Sequence, residues 1–250
     1  MFELADNRNP DSIASEIRRL RHAAFHSLLR EMERPLKVLD VGGTEDYWSS
    51  VGLLHEDGVE ITILNNLPPQ RIVPRSAWIL GDARDMSGIR DQEYDIVFSN
   101  SVLEHVGTLD DQKRAAYEIR RSGKRYFVQT PNRFFPIEPH SLVPFYQFLP
   151  GEVRARLLAS RRLGWLERAG SLSEARTTVA SIRLLDRRDL QLLFPEAIMV
   201  SERFLGLSKS LVACGGWSLK EVSAAFAVKT PIGIGFRVGV GGRRCRPTSM

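Results

Sequence analysis

The chain has 250 residues, is 43% hydrophobic and 26% charged, and carries a formal net charge of +5, a composition that fits one globular α/β domain or a domain with a sizeable insertion. The excess charge is local: residues 1–214 hold 29 Lys+Arg against 29 Asp+Glu, and residues 215–250 hold six against one. A neutral body argues against a broad electrostatic footprint for nucleic acid, and the two cysteines, Cys214 and Cys245, have no metal-ligand spacing and read as reduced thiols of a cytoplasmic protein.

The N-terminal Met1-Phe2-Glu3-Leu4-Ala5-Asp6 lacks the basic start and apolar core of a signal peptide. Residues 11–34 predict an amphipathic helix, with Ile13, Ile17, Leu20, Ala24, Leu28 and Met32 on one stripe and Arg18, Arg19, Arg21 and Arg30 off it. Pro35 ends that helix and introduces a strand, Lys37–Val41, which breaks at Gly42-Gly43. Paired glycines permit a tight turn and a close approach of backbone to a ligand. A short helix is expected around Trp48–His55, then strands at Glu60–Asn65, Ala77–Leu80 and Tyr94–Ser99.

Further on, Asp110–Ser122 reads as a helix leading into a strand at Arg125–Gln129, and the composition then shifts to Pro and aromatics through Leu149, predicting a long functional loop. An Arg-rich helical segment covers Gly151–Ser181, followed by a helix at Asp186–Phe194 and strands at Ile198–Phe204 and Leu211–Cys214. Residues 215–250, glycine-rich and basic, read as a poorly ordered tail. The weakly polar run Val222–Val240 is interrupted by Lys229, Pro231 and Arg237, so no membrane span is expected. Alternating strands and helices imply a doubly wound, mostly parallel sheet with ligands beyond the carboxyl ends of its strands.

Three strand-end blocks carry a resemblance: Leu39-Asp40-Val41-Gly42-Gly43-Thr44, Gly81-Asp82-Ala83, and Tyr94 through Ser99-Asn100-Ser101-Val102-Leu103-Glu104-His105-Val106. The chain resembles the class I S-adenosylmethionine-dependent methyltransferases, in the branch with Leu-Glu-His after the fourth strand. The resemblance covers about residues 30–214. It implies a seven-stranded Rossmann-like sheet over residues 1–214 with a helical lid inserted after the fifth strand, at about 131–185.

The same resemblance implies S-adenosylmethionine as cofactor, held by Asp40, Gly42, Gly43, Asn65, Asp82, Ala83, Ser99 and Asn100. Two positions depart from the family pattern. Thr44 replaces the third glycine of the first loop, and Asn65 stands where an acidic residue ordinarily grips the ribose. An amide lacks the charged, double-acceptor grip of a carboxylate.

For an acceptor hydroxyl a general base is required, and His140, in Pro136-Ile137-Glu138-Pro139-His140, is the first candidate, with Glu138 and His105 beside it. No metal site is expected, the alternative being a set made from His105, Glu138 and His140. Tyr47 and Trp48 either face the sulfonium or anchor the core. Phe134, Phe135, Phe145, Tyr146 and Phe148 suggest a lid over an apolar acceptor, and the arginines from 154 to 168 a solvated face.

The expected activity is methyl transfer, O-methylation favoured, to a small molecule or a glycan or lipid intermediate, with no nucleic acid partner. The competing readings are a catalytically inactive binding or assembly protein of the same fold and a nicotinamide-dependent oxidoreductase.

Overall fold

A computed structural model describes residues 12–44, 47–48, 57–69 and 76–240. The expected helix around Trp48–His55 and the extreme N-terminus therefore lie largely outside the described residues. Within them the chain builds an eight-stranded sheet in the order β3-β2-β1-β4-β5-β7-β6-β8. The strands are β1 (Leu36–Val41), β2 (Val59–Asn65), β3 (Ser76–Leu80), β4 (Tyr94–Asn100), β5 (Gly123–Pro131), β6 (Ile198–Phe204), β7 (Leu207–Gly215) and β8 (Ile234–Val240).

The first five strands are parallel and reverse order about β1, so the crevice at the carboxyl ends of β1 and β4 is a topological switch point. β7 runs antiparallel to both β5 and β6. Its opening residues thereby arrive at the same edge as the carboxyl end of β5, with Ser210 opposite Pro131. This reversal delivers side chains from the last third of the chain to the crevice.

The expected sheet had seven strands; the eighth comes from the segment read as a poorly ordered tail. Residues 218–225 form a capped helix, with Ser218 and Glu221 in a reciprocal capping box, and β8 pairs with β6 along its whole length. The glycines that suggested disorder sit in a strand whose Phe236 and Val238 pack against the core, so tertiary burial overrides weak local propensity. Residues 241–250 lie outside the described residues.

Six α-helices have their bounds among the described residues. α1 (Ile13–Arg30) begins at Ser12, whose side chain accepts from the Ser15 amide. With α6 (Leu219–Ala225) it covers one face through Phe25, Leu28, Leu29, Val222 and Phe226. On the opposite face α2 (Leu109–Ser122) and α5 (Arg187–Leu193) bury Ala115, Ile119, Leu190 and Leu193. Burial of such side chains stabilises by roughly 1.5–3 kcal/mol each.

Between β5 and α5 the chain forms α3 (Gly151–Ser160) and α4 (Leu172–Ala180), which share a small core of Tyr146, Ala155, Leu158, Ala175 and Val179. The aromatic loop before them does not close over a pocket as a unit. Phe134, Phe145 and Phe148 are exposed, and Tyr146 packs into that small core. No helix among the described residues is long and apolar enough to cross a membrane.

Candidate active site

Two cavities open at the carboxyl edge of the sheet, and Gly42 and Ser101 line both. The first is a groove of about 390 Å³ over β1, β2 and β3, walled by Asn65, Asp82, Ala83, Val102 and His105. The second is a chamber of about 380 Å³ between α1, the β1 and β4 ends, and the β5 and β7 junction.

The Gly42-Gly43 turn is required by sterics. Gly42 has φ +78°, and a Cβ there would fall 2.5 Å from Val102 Cγ2. A Cβ on Gly43 would fall 1.6 Å from Asp40 Oδ2. Asp40 itself is buried at the end of β1, where its Oδ2 accepts the indole N–H of Trp48 at 2.5 Å. Burial pushes its pKa up to about 7, against the opposing effect of that hydrogen bond. Trp48 is therefore a core anchor, while Tyr47 lines the chamber and contacts His22 through its hydroxyl.

Asn65 holds the glycine turn in place. Its Nδ2 donates to the Gly43 carbonyl at 2.8 Å, and its Oδ1 accepts from the Leu67 amide at 3.0 Å. A carboxylate at this position would set an acceptor against that carbonyl, so the amide suits this loop. Asp82 lies in the groove with Arg84 forked on its carboxylate at 2.6–3.0 Å, and Arg84 holds its pKa below the usual carboxylate range. Ala83 lines the groove beside it.

Of the two β4 residues, Asn100 lines the chamber and its Oδ1 accepts from Arg21 Nη1 at 2.6 Å. Ser99 lines neither cavity: it is fully buried, and its hydroxyl donates to the Val41 carbonyl at 3.2 Å, tying β4 to β1. Ser101, one residue on, is the member that reaches the junction of the cavities. It sits at φ +57° and donates to Gln129 Oε1 at 2.9 Å.

The sequence reading also missed the charge of the chamber. Arg21 is buried and doubly bonded to Glu202 at 2.6 Å, and Ser210 donates to the same carboxylate. Arg18 and Lys209 line the chamber, and their side chains make no hydrogen bond or ion pair among the described residues. Enclosure pushes the Lys209 pKa down to about 8, and neighbouring Arg21 adds to this. One signal was available for Arg21, four residues after Ile17 and seven before Leu28 on the buried face of α1. Lys209 offered none, because only the antiparallel return of β7 brings it here.

The three catalytic candidates do converge. Glu138 is buried and its Oε1 lies 2.6 Å from His140 Nδ1, while its Oε2 accepts from the His140 and Ser141 amides at 3.1 and 2.5 Å. His140 Nε2 is 3.1 Å from His105 Nε2, and His105 faces the groove. Burial works to lower the His140 pKa, but the hydrogen bond and charge of Glu138 outweigh it and the pKa is raised. Glu104, next to His105, is fully buried and accepts from Thr130 Oγ1 at 3.0 Å.

Residues 59–125 match the family profile described as "Methyltransferase domain". This stretch, about a quarter of the chain, is similar to a methyltransferase domain. Among curated proteins, the chain is 33% identical over 73 residues to the uncharacterized proteins Rv1509 and MT1557 of Mycobacterium tuberculosis. That segment is 29% of this chain and 24% of each relative, so the matched length is a quarter of theirs.

Among solved structures, the 1,6-didemethyltoxoflavin-N1-methyltransferase of Burkholderia thailandensis, with bound S-adenosylhomocysteine, aligns at TM-score 0.47 and 14% identity over 83% of this chain and 81% of that one. A SAM-dependent methyltransferase of Methanosarcina mazei aligns at 0.45 and 13% identity over 75% and 94%. At these values neither likeness bears on acceptor or mechanism.

Proposed function

We propose that the protein transfers a methyl group from S-adenosylmethionine, bound across the groove, to an acceptor seated in the adjoining chamber. The observation that carries this reading is the meeting of the two cavities at Gly42 and Ser101 on the switch-point edge of the sheet. Adenosine fits the groove beside Asp82, Ala83 and Asn65. The methionine end crosses the glycine turn toward Asp40, whose carboxyl group pairs with its ammonium. Methyl transfer from a sulfonium is an in-line displacement, so alignment of donor and acceptor supplies much of the rate.

The chamber favours an acceptor that carries negative charge, because the Arg18 and Lys209 side chains are bonded to no carboxylate among the described residues. O-methylation is favoured by the line from the groove through His105 and His140 to Glu138. His105 Nδ1 makes no hydrogen bond among the described residues, so it accepts the acceptor's hydroxyl proton as the oxygen takes the methyl group and the sulfonium becomes a thioether. The His105 Nε2–H then leans on His140 and Glu138.

Calorimetric titration with S-adenosylmethionine, S-adenosylhomocysteine and a nicotinamide dinucleotide tests the reading. Binding of the first two, weakened by Asp82→Ala, supports it and opens a screen of carboxylate- and phosphate-bearing acceptors. Cofactor binding without turnover on any acceptor moves the assignment to a non-catalytic binding or assembly protein, the reading that Thr44 and the engaged Asn65 amide favour.

A further inference from the structure

The residues around His105 do more than form a relay. Glu104, His105 and His140 each offer a ligand atom, and these atoms all lie within 4.8 Å of one another. Glu104 and His105 are adjacent on a 3-10 turn directly after β4, so one points into the protein and the other into the groove. His140 reaches them from the loop after β5. The imidazoles meet nearly edge to face, at 86° and 4.8 Å between centroids.

One feature of this cluster is unexplained by hydrogen bonding, and a second suits a shared ligand. Glu104 is fully buried and its Oε1 has no hydrogen-bond partner among the described residues, although Thr130 satisfies Oε2. An orphaned carboxylate oxygen at a buried position is costly. In addition, His140 Nδ1 donates to Glu138 at 2.6 Å, which leaves its Nε2 lone pair directed at His105 Nε2, 3.1 Å away. Two imidazole nitrogens bound to one tetrahedral ion at 2.0–2.1 Å stand roughly 3.4 Å apart, so a small adjustment seats both on a shared cation.

We propose that Glu104, His105 and His140 form a three-ligand site for a divalent first-row cation, zinc foremost, with Glu138 orienting His140 from behind. Two imidazoles and one carboxylate are a donor set suited to such ions. Three protein ligands leave a position open, as in catalytic zinc sites, and His105 places that position at the groove. The Glu138–His140 pair has the form of the carboxylate–histidine arrangement that fixes tautomer and ring orientation in metal sites. The sequence reading expected no metal; its alternative made Glu138 a ligand, whereas the structure puts Glu104 in that place and Glu138 one bond further out.

The proposal goes beyond methyl transfer and revises one part of it. With the cation bound, the histidine lone pairs would be spent on it; an acceptor hydroxyl at the open position would lose its proton to water in the groove, and its oxygen would take the methyl group as the sulfonium becomes a thioether.

The test uses the full chain, stripped with a chelator and titrated with Co²⁺ by visible absorption and with Zn²⁺ by calorimetry, with S-adenosylhomocysteine titrated into the same samples. The expected result is one ion per chain, visible bands of a low-symmetry Co²⁺ site, and loss of both in His140→Ala and Glu104→Gln. Glu138→Gln is expected to weaken affinity 10- to 100-fold. Should Glu104→Gln fail to fold, His105→Ala, at the exposed end of the cluster, gives the same readout. Absence of saturable binding overturns the proposal, as does binding that survives both His105→Ala and His140→Ala. Retained S-adenosylhomocysteine binding in either case leaves the methyl-transfer reading standing, so the two readings fail separately.

Discussion

The groove and the chamber share a wall but are built by different logic. The groove is made of strand-end loops that follow one another in sequence, and its polar groups are engaged locally: Asn65 with Gly43 and Leu67, Asp82 with Arg84. The chamber gathers Arg18 from α1, Asn100 from β4 and Lys209 from β7, and leaves charge unspent. A preformed polar groove suits a ligand of fixed shape, whereas unpaired cations in a cleft suit a ligand that brings its own counter-charge.

The largest expected effect lies on the shared wall. Gly42→Val places a side chain against Val102 in a left-handed conformation, and S-adenosylhomocysteine binding should be lost with a stability cost of roughly 2–4 kcal/mol. Unchanged affinity in a folded variant would remove the cofactor from this turn. Next in size is the contrast between two arginines of one helix. Arg21→Met strands Glu202 in the interior and should cost about 3–5 kcal/mol in chemical denaturation, while Arg18→Met should leave stability nearly unchanged and weaken only anionic acceptors. Equal destabilisation by both would erase the distinction between spent and unspent charge.

A pH series sharpens the comparison further. Asp40 keeps its proton in the folded state up to about pH 7, against an unperturbed 3.8. Between these values the folded state binds more protons than the unfolded one, so this group's contribution to stability falls as pH rises, by at most about 1.4 kcal/mol per pH unit. The proposed pairing with the cofactor ammonium requires the ionised form, so S-adenosylhomocysteine affinity should rise about fivefold from pH 6 to 7 and level off above about pH 8. Asp40→Asn should flatten both curves, and an unaltered affinity profile in that variant would exclude the pairing. The smallest effect is the most discriminating for the groove. Asn65→Asp should weaken cofactor binding several-fold, because the new carboxylate faces the Gly43 carbonyl; tighter binding would mean that this position contacts the ribose instead.

What was legible in the sequence follows the same division. β1, β2 and β4 are apolar runs punctuated by Gly, Asn or Ser, and their order and the switch-point edge could be read directly. His140 and Glu138 were named from their place after the fifth strand and from the family resemblance of that turn, and His105 from the Leu103-Glu104-His105 signature. Ser99 was placed in the site because it closes an apolar strand, but strand alternation turns its side chain away from the cavities and toward the Val41 carbonyl. The orphaned oxygen of Glu104 and the cations of the chamber were not legible, since each depends on partners 26 to 181 residues away being present or missing.

The eighth strand also bears on how the protein keeps to itself. Without it, β6 would end the sheet as a long apolar strand with Ile198, Met199 and Val200 beside a free row of amides and carbonyls, an invitation to pair with another chain. β8 closes that row and presents in its stead a border interrupted by Gly235, Gly239 and Arg237, a poor template for further pairing. The stretch that looked like a loose end in the sequence serves the sheet as a selvage does a cloth, finishing the edge so that it does not catch.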